Sequence, residues 1–387
     1  MIIAVPRERG PRERRVSLVP ETVARLTKLN HQVLVEEGAG IESGFSDQHY
    51  RDAGAEIVKP DAQWMKPADI VVTVQNTDFG PSSPYAYLRP GTIIIGMLGP
   101  LSSPPETFEL MLQNKLTAFS MDAIPRISRA QSMDVLSSMS TVAGYRAALI
   151  GAEQLPRFFP LLMTAAGTIT PAHVLVLGAG VAGLQAIATT HRLGAVVQAF
   201  DTRPVVREQV ESLGASFLTL EIQTQQTQDG YAQALAEDLH QQEIKLLSKP
   251  VAEADVVITT ALIPGKPAPL LVTKEMVANM RPGSVIVDLA AETGGNCELS
   301  RPGERTVTDN GVIIEAPLNI TSQLAPHASQ LYSRNVFNFL THLFSMGLGQ
   351  DGKELDFSDE IVARTMILRD GQILHDVLAK RMTQVRS

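Results

Sequence analysis

Three glycines, Gly178, Gly180 and Gly183, stand at G-x-G-x-x-G spacing within HVLVLGAGVAGLQAIATTHRLGAVVQAFD, residues 173–201. That spacing suits phosphate binding. The first glycine permits a tight turn, the second lets the backbone approach a pyrophosphate, and the third lets helix and strand pack closely. The pyrophosphate then rests on the free N–H groups of a helix N-terminus, here Val181 and Ala182. Asp201 ends the following apolar run, about 20 positions on, where a carboxylate accepts hydrogen bonds from an adenosine ribose. Its charge repels a 2′-phosphate, so NAD(H) is expected over NADP(H). A lone glycine fingerprint is weak. Here strand, turn, helix, strand and acid occur in order. The expected contacts are Val174, Gly178, Gly180, Val181, Ala182 and Gly183, with Asp201, Thr202 and Arg203 at the tip of the second strand.

A second cluster stands in MDAIPRISRAQSMDVLSSMSTVAGYRAA, residues 121–148. It holds Arg126, Arg129, Gln131, Ser132, Asp134, Ser137 and Ser138. Such polar density is unusual between two buried α/β segments, and a crevice between domains is where ligands usually bind. The plainer reading is helix capping by Ser128 or Ser132 and an ordinary Arg–Asp salt bridge. Residue types alone leave both readings open.

These residues need a scaffold. Ile2–Val5, Gln32–Glu36, Ile70–Val74, Thr92–Gly96 and Leu116–Ser120 read as strands, alternating with helices such as Glu21–Leu29 and Thr107–Gln113. Pro20 suits the first helical position. Alternation of this kind predicts a parallel α/β sheet. Val135–Leu155 reads as a long helix joining two domains, from apolar residues at three- and four-residue spacing. A second α/β unit continues through Val174–Leu177, Val196–Phe200, Val256–Thr260, Ser284–Leu289 and Val312–Glu315. Pro264–Gly265 and Pro282–Gly283 punctuate it. Gln223–Gln242 is glutamine-rich and reads as a mobile excursion ending in a polar helix. After a helix at Ser329–Phe344, the runs Thr365–Leu368 and Gln372–Leu374 flank Asp370–Gly371, a hairpin signal. This tail is expected to return to the first domain. The expected class is α/β, with two Rossmann-like, doubly wound parallel-sheet domains joined by long helices. Their expected extents are 1–136 with 327–387, and 137–326.

The whole chain sets outer limits. At 387 residues it is too long for one core. Its net charge of −8, with no basic block, argues against nucleic acid. The single cysteine, Cys297, fits a reducing compartment and more readily a structural than a reactive role. MIIAVPRERGPRERR lacks the order of a signal peptide, and no apolar stretch of roughly 18 residues reads as a transmembrane segment. No residue pattern calls for a metal.

RISRAQSMD with LSSMSTVAGYRA resembles the signature of the NAD(H)-binding component, domain I, of proton-translocating nicotinamide nucleotide transhydrogenases. The resemblance extends along the chain: PRERG, ERRVSLVPE, MTAAGT, GAGVAGLQAIAT, DGYA, TTALIPGKPAP and PGSVIVDLAAETGGNC. Alanine dehydrogenases share most of these blocks. They carry a lysine and a histidine that hold and activate the amino or keto acid, and those positions here are Gln75 and Gly99. Neither is an acid or base at neutral pH. The shared N-terminal arginine, Arg14 or Arg15, cannot run a deamination alone.

The resemblance implies direct, Re/Si-specific hydride transfer from NADH on this chain to NADP⁺ on a partner subunit. Such transfer needs alignment and exclusion of water rather than a base. It assigns Arg126, Gln131, Asp134, Ser137 and Tyr231 to the active centre. Arg126 and Asp134 would pair beside the nicotinamide, Gln131 would reach toward the second nucleotide, and Ser132 and Met133 would add contacts. Gly230 and Tyr231 would lie on a loop that closes over the nucleotide, and Leu262 would line the pocket. The resemblance further implies a homodimer, cytoplasmic and peripheral on the inner face of the cell membrane. It would act with separate membrane-spanning and NADP(H)-binding subunits. The alternatives are an alanine dehydrogenase-like amino-acid oxidoreductase, disfavoured by Gln75 and Gly99, and a non-catalytic NAD-sensing module.

Overall fold

A computed structural model of the chain describes residues 1–75, 83–219, 232–263, 265–350 and 353–386. It divides into two compact units, Met1–Met139 with Thr321–Ser387, and Ser140–Ile320. Each has its own sheet and core.

In the first unit, apolar β-branched runs become the strands of an eight-stranded sheet. Its spatial order is Gln372–Ile373, Met366–Arg369, Thr117–Ser120, Ile93–Gly96, Ile70–Val72, Ile2–Val5, Gln32–Glu36, Glu56–Val58. The six strands before residue 121 are parallel. Met366–Arg369 joins antiparallel to Thr117–Ser120, and Gln372–Ile373 turns back beside it. Asp370 and Gly371, at φ 50° and 78°, supply the two left-handed positions of a tight hairpin turn. The tail also supplies core: Ile367, Leu368, Leu378 and Met382 pack with Ala4, Val71, Phe108 and Met111.

In the second unit, as in the first, the sheet's first strand in chain order lies between its second and its fourth. Its seven strands run Ser216–Leu218, Val196–Phe200, His173–Leu177, Val256–Thr259, Val285–Asp288, Ile313–Glu315, Arg305–Val307. All pair in parallel except the last, an antiparallel edge strand that sequence reasoning missed. Side-chain alternation divides the core between two faces. Val174, Val176, Val256, Ile258, Val285 and Val287 lie in one cluster, and Leu175, Leu177, Val257 and Ile286 in the other. Continuous apolar runs are what a parallel strand covered on both faces requires. The strand order reverses at His173–Leu177, so the crevice beyond its carboxyl end is where such sheets bind ligands.

The long helix is Val135–Gln154. A Cβ on its Gly144 would lie 2.0 Å from the Ala182 carbonyl oxygen, so only glycine lets the helix approach Val181–Arg192 this closely. Of the glutamine-rich stretch, residues 223–231 lie outside the described residues, and the rest belongs to a helix. That helix, Ala232–Glu253, sends Leu247 and Val251 into the core. Pro264 also lies outside the described residues. No helix among those described is long and apolar enough to cross a membrane.

Candidate functional site

The glycine turn is built as its spacing predicts. Gly178 adopts φ 98°, and a Cβ there would lie 2.6 Å from Thr260 Oγ1. At Gly183 a Cβ would stand 1.8 Å from the Gly178 carbonyl oxygen. Gly180 differs: its φ is −75°, and nothing lies within 4 Å of its Cβ position. The protein itself therefore requires two of the three glycines. The third faces open space, which a ligand phosphate would fill. Val181 and Ala182 open the helix there, with first-turn N–H groups that no intrahelical carbonyl satisfies. Val174, by contrast, is 1% exposed in the core and presents no side-chain surface to a ligand.

Asp201 reaches back to this turn. Its Oδ2 accepts from Ala179 N at 2.8 Å and from Arg203 Nη2 at 2.9 Å. Its Oδ1 accepts from Arg203 N and Nε, both at 2.9 Å. Burial alone would raise the carboxyl pKa. The Arg203 and Ala179 donors outweigh it and hold the group below its usual value, so it stays charged. Thr202 and Arg203 are exposed.

A further loop is held beside the turn. Thr260 Oγ1 donates to the Gly178 carbonyl at 3.0 Å. Buried Asn296 accepts from Ala261 N at 3.0 Å and donates to the carbonyls of Ala261 and Pro269 at 2.9 and 2.8 Å. Asn296 N is anchored to fully buried Asp288, which also accepts from Thr259, Ala290, Cys297 and Ser300. This scaffolding leaves Leu262 and Ile263 at 55% and 46% exposure, an apolar surface kept at the sheet's carboxyl edge. Sequence reasoning named Leu262 and missed Thr260, Asn296 and Asp288. The available signal was a small polar residue at each strand end and the GGN turn. Cys297 is buried, and burial pushes its thiol up to about 11, which makes it unreactive.

The polar cluster of the first unit starts in a 3₁₀ turn, Ser128–Met133. Gln131 and Ser132 are exposed, whereas Met133 is buried and can offer a ligand only its backbone. Asp134 caps the long helix: Ser137 N and Oγ donate to its carboxylate at 2.9 and 2.6 Å. The cap is therefore Asp134 rather than Ser128 or Ser132. Arg126 is exposed, and no ion pair joins it to Asp134 among the described residues. Ser137 is the side chain that donates to that carboxylate. Gly230 and Tyr231 lie outside the described residues.

The positions that could hold an acid or base are differently equipped. Gln75 Oε1 accepts from Arg15 Nη2 at 3.3 Å, and Arg15 is buried against Glu13 through contacts of 2.8 and 2.6 Å. Gly99 has φ 64°, a left-handed conformation that disfavours any side chain, and a Cβ would displace the Ser103 hydroxyl, 2.4 Å away. Glu8 accepts from Thr73 Oγ1, Val74 N and Gln75 N at 2.6, 2.7 and 3.3 Å. Burial nevertheless pushes its pKa up to about 7. A cleft of about 610 Å³ runs along Arg7–Arg14, with Glu36 and Glu42 offsetting its arginines.

Comparison with known proteins covers both units. Residues 4–143 match the alanine dehydrogenase/PNT N-terminal domain, and residues 147–376 match the alanine dehydrogenase/PNT C-terminal domain. The chain is 47% identical to the first-part polypeptide of the NAD(P) transhydrogenase alpha subunit of Rhodospirillum rubrum, over 98% of this chain and 99% of that one. A solved transhydrogenase from Sinorhizobium meliloti superposes with a TM-score of 0.85 at 42% identity, covering 96% of this chain and all of that one. An L-alanine dehydrogenase structure gives 0.82 at 27% identity, with both chains fully covered. With both of its domains matched along nearly its whole length, the chain belongs to the alanine dehydrogenase/PNT family.

Proposed function

We propose that the chain is the NAD(H)-binding alpha subunit of a Re/Si-specific, proton-translocating NAD(P) transhydrogenase. The observation that carries this reading is 47% identity to a transhydrogenase alpha subunit over nearly all of both chains. The glycine turn fits a dinucleotide, since the space at Gly180 and the helix start at Val181 form a cradle for a pyrophosphate. Bound there, reduced nicotinamide supplies the hydride, and NADP⁺ on a partner subunit receives it.

The chain's own residues bind and align. Asp201 stands charged at the ribose position and disfavours a 2′-phosphate. Leu262 and Ile263 offer an apolar wall that excludes water, while Gln131, Asp134 and Ser137 supply polar groups without a base. Arg126 and the loop residues Gly230 and Tyr231 complete the assignment. Hydride transfer requires no proton at the reacting carbons, so orientation and dehydration carry the rate. The amino-acid oxidoreductase reading lacks equipment, because Gln75 cannot titrate and Gly99 carries no side chain. In this reading the chain is a homodimer, cytoplasmic and peripheral on a membrane complex.

The test mixes the purified chain with an NADP(H)-binding transhydrogenase component and measures single-turnover hydride transfer. Transfer dependent on both proteins is expected. Ammonia-dependent oxidation of NADH by pyruvate, without that transfer, would overturn the reading. Sedimentation at micromolar concentration should show a dimer.

A further inference from the structure

The turn that carries Gln131 is six residues of 3₁₀ helix, Ser128–Met133. Runs longer than about four are uncommon, because 3₁₀ hydrogen bonds are poorly aligned. Outside support holds this one at both ends. Asn335 Nδ2 and Asn338 Nδ2, on the helix Ala325–Ser345, both donate to the Ser132 carbonyl, at 2.9 and 3.0 Å. Three residues apart, they share one helix face, and together they use both lone pairs of that oxygen. At the other end Arg129 Nη1 donates to Asp359 Oδ2 at 2.6 Å.

Asp359 is itself held. Its Oδ1 accepts from His342 Nε2 at 2.9 Å, and from Ile361 N and Val362 N where it caps Glu360–Thr365. Its burial would raise the carboxyl pKa, but His342, the Val362 amide and Arg129 together bring it down to about 2. These links cross 203 to 230 residues of sequence, so local chain geometry does not produce them. Asn335 is 6% exposed and, among the described residues, its Oδ1 has no hydrogen-bond partner. A buried amide oxygen left unmatched costs free energy. The amide keeps its donor on Ser132 regardless.

We propose that Asn335, Asn338 and Asp359 are positioning residues for hydride transfer, clamping the Ser128–Met133 turn at Ser132 and Arg129 and so setting where the Gln131 amide stands. The inference rests on the transhydrogenase reading. Its logic is geometric: a displacement of about 1 Å can cost on the order of 100-fold in a step that depends on alignment. The clamp touches backbone and Arg129, so it should act on transfer more than on nucleotide affinity.

The test uses the full chain as Asn338→Ala, Asn338→Gln and Asp359→Asn. Asn338 is only partly buried, so its loss leaves the fold intact. Three measurements are made: single-turnover transfer with the NADP(H)-binding component, the NADH dissociation constant, and backbone amide exchange at Ala130 and Asp134. Those two amides close the turn on the Ile127 and Gln131 carbonyls. Asn338→Ala should slow transfer roughly tenfold, keep NADH affinity within about twofold, and speed exchange at both amides. Asn338→Gln, which keeps an amide donor, should recover part of the rate. Equal losses of transfer and affinity, or unchanged transfer in an active wild type, would overturn the proposal. A wild type that transfers no hydride would refute the transhydrogenase reading instead. Exchange then decides the clamp: unaltered exchange in Asn338→Ala and Asp359→Asn overturns it, and faster exchange upholds it.

Discussion

At the scale of the residue, the proposed function assigns nucleotide choice to Asp201 and its partner Arg203. In the proposed reading the aspartate has two roles: it would present negative charge to a bound ribose, and it ties up the Arg203 guanidinium through two contacts. Asp201→Ala removes the repulsion to a 2′-phosphate and releases a cation able to bind one. NADH binding should weaken roughly tenfold, the worth of a charged hydrogen bond, and NADPH binding should strengthen. Fluorescence titration with both nucleotides measures this. An undiminished preference for NADH in Asp201→Ala would show that the selection lies elsewhere.

At the scale of the element, the three glycines separate structural from ligand constraints. Gly183→Ala places a Cβ against the Gly178 carbonyl and should destabilise the fold by about 1–3 kcal/mol or more, through overpacking. Gly180→Ala meets no protein atom and adopts an ordinary φ. It should melt within about 2 °C of the wild type, yet lose NADH affinity by roughly tenfold or more, because the methyl occupies the phosphate's approach. Thermal melts and NADH titration of the two variants decide it. Normal NADH binding by Gly180→Ala would move the phosphate away from this turn.

The same element explains what could be read from the sequence. Val196–Phe200 and Ile2–Val5 are strands with the bounds expected, because short, mainly apolar runs bounded by turn residues have few other uses in a parallel sheet. Arg305–Val307 and Glu56–Val58 were missed, since three-residue edge strands with polar neighbours carry no period. In the polar cluster the residue types were legible but their partners were not. Asp134 is held by Ser137, and the Ser132 carbonyl by asparagines more than 200 residues away. The asparagine contacts depend on tertiary folding and leave no local pattern, whereas the Asp134–Ser137 cap is local.

At the scale of the whole molecule, two carboxyls give stability opposite dependences on pH. Glu8 is buried, with its pKa raised to about 7. Its folded state prefers the protonated form, so its contribution is fully present below the unfolded pKa, near 4.5, and is lost as pH rises through 7. The loss is about 3 kcal/mol. Asp122, raised by burial, acts in the same sense. Asp359 is the reverse case, lowered to about 2, so its contribution is present above the unfolded value and is lost as pH falls from about 4 through 2. Both Glu8 and Asp359 lie in the first unit, as does Trp64, the only tryptophan and a buried one. Its fluorescence during urea unfolding therefore reports on the unit that contains both groups. Glu8→Gln cannot ionise, so between pH 5 and 8 its stability should fall less than that of the wild type. Asp359→Asn should be less stable than the wild type at pH 6, and the gap should close as pH approaches 2. Parallel stability curves for the wild type and Glu8→Gln across pH 5–8 would mean that Glu8 ionises freely in the fold, and that its burial is compensated by Thr73, Val74 and Gln75 more fully than a pKa near 7 allows.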